Sequence, residues 1–198
     1  MLIPKPLPAD GNRHWVVSTE PMVEPITVDE LKLFARIDGV DEDIMLQGFI
    51  KAVRGNAERY LGRALISQTI TMKMDYWPSE TIELPRPPLI SVTGVYTLDE
   101  DDAETEYSSD NYYTITEATP GLLVLKYSVT APTNTERYHG GYKVVFTAGY
   151  GTTGADVPQG IRDGLKLWAA SMYENRALAA VPPPEAMPLL SPYRVVKL

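Results

Sequence analysis

The stretch Ile26–Leu65, ITVDELKLFARIDGVDEDIMLQGFIKAVRGNAERYLGRAL, carries the start and stop signals of two helices. Thr27 stands where its hydroxyl can cap the first helix. Glu30 follows at capping-box spacing, and Ile26 and Leu31 occupy the positions of a hydrophobic staple. Gly39 is the expected stop. Asp41, Glu42 and Asp43 then place carboxylates at the start of a second helix, where free amides and the macrodipole favour negative charge, and Gly62 closes it. Between these signals Leu46, Phe49, Ile50, Val53, Ala57, Tyr60 and Leu61 recur at helical spacing, so one face is apolar and must be buried.

The opposite face carries Gly48, Ala52 and Gly55. An interior glycine costs a helix about 1 kcal/mol relative to alanine. Two readings fit: a glycine tolerated on a solvated face, or small residues that let another backbone approach closely. Because the core lies on the other side, such an approaching element belongs to a neighbouring subunit.

Upstream, residues 1–25 hold Pro4, Pro6, Pro8, Pro21 and Pro25, which favour an extended arm whose strand-like piece is Trp15, Val16 and Val17. Downstream, Ile66, Gln68, Ile70, Met72, Met74 and Tyr76 alternate with the period of a half-buried strand. Further strands are expected at Thr81–Leu84, Ile90–Leu98, Tyr112–Ile115, Leu122–Tyr127 and Tyr142–Ala148, separated by turn residues at antiparallel spacing. A third helix is expected from near Pro158, with Asp156 and Gln159 at capping-box spacing and Ile161, Leu165, Trp168, Met172 and Tyr173 on one face. Pro182, Pro183 and Pro184 end it.

The resulting expectation is an α+β chain in five pieces. It has an N-terminal arm (1–25), two helices (26–65), an antiparallel β region (66–155), a long third helix completing a helical bundle (156–181) and an extended C-terminal tail (182–198). At 198 residues and 44% hydrophobic content it can bury a real core. The absence of cysteine excludes disulfides and thiolate metal sites, which fits a reducing compartment. No signal peptide or bilayer-length apolar run is legible, so a soluble chain made in the cytoplasm is expected. A formal net charge of -8 argues against direct capture of nucleic-acid phosphates.

Gly149, Gly151 and Gly154 spell GxGxxG after a predicted strand. A dinucleotide site needs the last glycine inside the helix that receives the pyrophosphate and a further parallel strand ending in an acidic residue. Here Ala155, Asp156, Val157 and Pro158 delay the helix, and no second strand unit follows. The motif reads as a structural turn, with a nucleotide-binding enzyme as the alternative. The run Asp99, Glu100, Asp101, Asp102, Glu104 and Glu106 lacks EF-hand spacing and its glycine, and reads as a solvated hairpin tip facing a channel or a partner. The two histidines, His14 and His139, do not form a ligand pair. Neither a nucleophile elbow nor a GK[ST] motif is present, so no catalytic residue, cofactor or metal is expected. Tyrosines gather in the β region, where strand core and subunit interface are both reasonable.

EPITVDELKLFARIDG and DEDIMLQGFIKAVRGNAERYLGRAL, then LPRPPLISV, then VVFTAGYG followed by VPQGIRDGLKLWAASMYENR, in that order, resemble the head-tail connector, or head-completion adaptor, proteins of long-tailed bacteriophages and gene transfer agents. The resemblance covers most of the chain. It implies a virion structural protein without catalytic activity, located in the neck between capsid portal and tail and made in the bacterial cytoplasm. It further implies a homo-oligomeric ring of twelve beneath the portal that extends the DNA channel, and a face receiving the next neck or tail component. DNA would pass without sequence-specific binding, and no membrane is involved. The chain departs from the smallest, nearly all-helical relatives by its β region.

On this reading Gly48, Ala52 and Gly55 meet the next subunit. The tail Tyr193, Arg194, Val195, Val196, Lys197 and Leu198 docks on the portal as an added strand or wedge. A stopper or tail-completion protein is the alternative within the same assembly, and a β-rich binding module with helical flanks is another.

Overall fold

The computed structural model describes residues 12–133, 137–176 and 178–195. The chain divides into two units, one formed from residues 1–20 and 68–148, the other from 21–67 and 149–198. The architecture is mixed α+β with antiparallel sheets.

In the second unit, α1 (Val28–Ala35) opens with the capping box read from sequence. Thr27 accepts from the Glu30 amide at 3.1 Å, and Glu30 accepts from the Thr27 amide at 2.8 Å. The helix ends earlier than expected. Arg36, not Gly39, takes the left-handed conformation at φ 55° and donates its amide to Lys32. Gly39, at φ 79°, lies in the turn beyond, where the Lys32 ammonium reaches both its carbonyl and the Asp43 carboxylate. α2 (Asp43–Leu61) ends at Gly62 as expected, with φ 69°.

α3 (Gln159–Asn175) has no side-chain cap and stops at left-handed Arg176, well before Pro182. Asp156 instead closes a capping box with Thr153 on a single 3₁₀ turn, Gly154–Asp156. The region beyond Pro184, expected to be extended, forms α4 (Met187–Leu190) and a 3₁₀ turn, Ser191–Tyr193. Leu190 is fully buried and explains why this segment folds back.

α1 packs on α2 and α3, α2 on α3, and α4 on α3. Leu31, Leu46, Val53, Leu61, Ile161, Leu165 and Trp168 form the core of this unit. Trp168 is completely buried, yet its indole N–H donates to the Ala179 carbonyl at 3.2 Å, so its one polar atom is satisfied. Truncating such a side chain to alanine costs about 3–5 kcal/mol.

Among the described residues of the first unit, eight strands form two antiparallel sheets: β1 (His14–Thr19), β2 (Gln68–Met74), β3 (Thr81–Leu84), β4 (Leu89–Leu98), β5 (Glu104–Tyr107), β6 (Tyr112–Ile115), β7 (Gly121–Leu125) and β8 (Tyr142–Ala148). The five-stranded sheet runs β1-β2-β8-β4-β5 and the three-stranded sheet β3-β7-β6. Register follows from burial. Gln68, Ile70, Met72 and Met74 on β2 and Tyr142, Val144, Phe146 and Ala148 on β8 all point inward, and the strands pair from Gln68 with Ala148 to Met74 with Tyr142. The piece of the N-terminal arm around Trp15 is not free: it pairs with β2 as an edge strand. β5 was not read from sequence. Ile66, Ser67 and residues 149–155, assigned by sequence to the β region, belong to the helical unit.

Candidate functional site

The glycine motif is filled by its own chain. Gly149 has φ 137°, and a Cβ there would lie 2.5 Å from the Ile66 carbonyl carbon; one on Gly154 would lie 2.7 Å from the Pro25 oxygen. The Tyr150 amide donates to Leu65 at 3.2 Å and the Ser67 amide to the Gly151 carbonyl at 2.7 Å. The Asp156 carboxylate accepts from the amide and hydroxyl of Thr153 at 2.8 and 2.9 Å, and these bonds hold its pKa below the usual carboxylate range. The turn therefore presents a fixed negative charge, and its Tyr150 and Thr153 amides already donate within the chain, which disfavours an anion. α3 starts only at Gln159.

The acidic run lies on the β4–β5 hairpin, with Leu98 paired to Glu104. Asp99 accepts from the amides of Asp101 and Ala103 at 3.0 and 2.8 Å. Asp102 pairs with Arg137, whose hydrogen bond and charge lower its pKa, and Glu104 pairs with Lys143. Glu100, Asp101 and Glu106 remain exposed. His139 sits 3.0 Å from Asp75, on the loop before β8. Among the described residues no group of three or more His, Cys, Asp or Glu could hold a metal ion, and no helix is long and apolar enough to cross a membrane.

On α2 the space beside Gly48 and Gly55 is open: an added Cβ would meet nothing within 4 Å at either position. Ala52 and Gly55 line a groove of about 440 Å³ with Lys51, Asn56, Arg59 and Leu178. Gly48 does not line it. Tyr193, Arg194 and Val195 are held at the C-terminal end of α2. Arg63 donates to the Tyr193 carbonyl at 2.5 Å, the Val195 amide donates to Leu61 at 2.8 Å, and the Arg194 guanidinium lies 5.2 Å from the centre of the Tyr60 ring. Val196, Lys197 and Leu198 lie outside the described residues.

Two features escaped the sequence reading. Arg54 and Glu58 are buried polar residues on the core side of α2, their spacing being the only available signal. Arg54 donates to Glu24 at 2.7 Å, and Glu58 accepts from the Leu65 amide at 2.9 Å. The second is an exposed apolar set around the α1–α2 turn, Leu33, Phe34, Val40 and Ile44, of which Ile44 is 86% exposed.

The described residues present an open face of α2 and an acidic hairpin at the surface. Comparison with known proteins gives the family. The family model described as head completion protein matches residues 24–179, and the chain belongs to that family.

Solved structures share the fold. A chain in the neck of an empty GTA particle computed with C6 symmetry matches with a TM-score of 0.81 at 21% identity, covering 93% of this chain and 97% of that one. A chain in the virion of a native gene transfer agent (GTA) particle matches with a TM-score of 0.77 at 23% identity, covering 93% and 96%. One in the neck of a native GTA particle computed with C12 symmetry gives 0.71 at 21%, covering 92% and 97%. A search of curated proteins gives no match.

Proposed function

We propose that this protein is the head-tail adaptor of a tailed phage or phage-like particle: a ring of twelve copies beneath the portal, extending the DNA channel and receiving the next neck or tail component. The observation that carries the reading is the head-completion match over residues 24–179, which runs through both units rather than through one isolated motif. The ring is supported by the C6 and C12 symmetry of the neck particles whose chains share the fold.

In this reading α1, α2 and α3 form a bundle that builds the ring body, and Gly48, Ala52 and Gly55 face the adjacent subunit. Their open surroundings support that role. The net charge of -8 suits a channel wall past which phosphates slide without binding. The acidic hairpin faces the channel or a partner. The tail Tyr193–Leu198 docks on the portal; of its described residues, Tyr193 is tied to Arg63 and Val195 to Leu61. The test is co-purification with the portal of the same particle. Capture by the portal is expected, and capture only by tail components would favour a tail-completion role.

A further inference from the structure

Along α2, Ile44, Gly48, Lys51, Gly55 and Arg59 fall within an arc of about 80° at the helical 100° per residue. All five border solvent: Ile44 is 86% exposed, and nothing lies within 4 Å of a Cβ built on either glycine. Ile44 and Gly55 are about 16 Å apart along the axis, so the protruding side chain and the notch are separated on a single straight helix. Acidic and basic residues are separated in the same sense, with Asp38 and Asp41 exposed before the helix, Lys51 near its middle and Arg59 in its last turn.

We propose that in the free protein this stripe pairs, antiparallel, with the same stripe of a second copy. One register brings all three pairs within one residue of direct opposition. Ile44 seats over Gly55 of the second copy, Asp41 meets its Arg59, and Gly48 lies beneath the aliphatic stem of its Lys51, each contact being made twice. Bulky faces small and acid faces base, as an isologous two-fold contact requires. Because the protrusion and its notch face the same way, the second copy must be turned about half a revolution to bring them together. Such a step cannot repeat around a ring of twelve. The pair is therefore not the ring contact; it covers the same face, and ring formation requires it to open. That consequence rests on the adaptor reading, whereas the pair itself does not.

The chain has no cysteine, so introduced thiols report on the contact alone. The two-fold axis passes between residues 48 and 51, bringing Lys51 near its own symmetry mate, within reach of a disulfide, whose Cα separation is at most about 7 Å. Under mild oxidation, Lys51→Cys alone should give a covalent dimer. Ile44→Cys and Gly55→Cys should each stay monomeric alone and cross-link when mixed. Without thiols, Gly55→Leu should weaken the dimer at least tenfold in sedimentation equilibrium.

A Lys51→Cys variant that stays monomeric, or Ile44→Cys linking to itself, would overturn the pair. Electron microscopy with the portal separates the two readings. Dimers with the expected cross-links but no ring would sink the adaptor reading and leave the pair standing. Rings that incorporate the cross-linked dimer would overturn the claim that the two exclude each other.

Discussion

Arg54 and Glu58, one turn apart on α2, face each other at 3.4 Å with both side chains about 8% exposed. Each also holds a distant segment: Arg54 binds Glu24 in the segment before α1, and Glu58 binds the Leu65 amide beyond the helix C-terminus. Two distant segments are thus fixed by two side chains on the core side of one helix. Arg54→Ala removes the cation that Glu58 and Glu24 share, and should lower the midpoint of urea unfolding. Glu58→Gln should cost less, because its amide oxygen can still accept from Leu65.

Gly149→Ala forces a side chain into a φ of 137° and against the Ile66 backbone. A cost of about 1–3 kcal/mol follows from the backbone alone, seen as a lower Tm. Adding NAD or FAD to the natural protein should leave Tm unchanged. A dose-dependent rise would restore the nucleotide reading of the glycine motif.

Asp75 gives the β unit an acid-sensitive tie. Partial burial raises its pKa, but hydrogen bonds from Asn12, the Gly140 amide and His139, together with the charge of His139, outweigh that and hold it below its ordinary value. A depressed folded-state pKa means that the stabilisation is complete above the unfolded value, about 3.9, and is lost as pH falls through the folded one. Unfolding midpoints measured from pH 6 to 2 should therefore decline below about pH 4. Asp75→Asn should remove that part of the decline while lowering stability at pH 6.

The hairpin Asp99–Glu106 should bind no calcium specifically. Asp99 is engaged by backbone amides, and Asp102 and Glu104 by Arg137 and Lys143, leaving the free carboxylates too scattered to enclose a hard cation. Isothermal titration with calcium chloride should show no stoichiometric heat; a saturable site at one ion per chain would refute this.

What was legible in the sequence was local. The Thr27–Glu30 box and the Gly62 cap each rest on residues within one turn, and their structure follows from their own chemistry. Period-two burial on β2 and β8 was legible for the same reason. The errors arose where a distant partner decided the outcome. β5 reads Glu-Thr-Glu-Tyr, with no apolar alternation, and is a strand because β4 supplies its hydrogen bonds. β1 owes its place to β2, over fifty residues away in sequence. Asp156 had two helical turns within reach and capped the nearer 3₁₀ turn. The tail was read as extended from its prolines, but Leu190 found a buried site against α3. The open face of α2 was legible as small residues. The groove beside Ala52 and Gly55 was not, because Leu178 and Ala180 come from beyond α3.

The most direct test of the adaptor account is electron microscopy of the purified protein mixed with the portal of its own particle, alongside Gly48→Leu/Gly55→Leu. The account predicts a twelve-fold ring seated on the portal for the natural sequence, and folded subunits that form no ring for the double variant. A portal that stays bare with the natural protein, or a normal ring from the double variant, would contradict it.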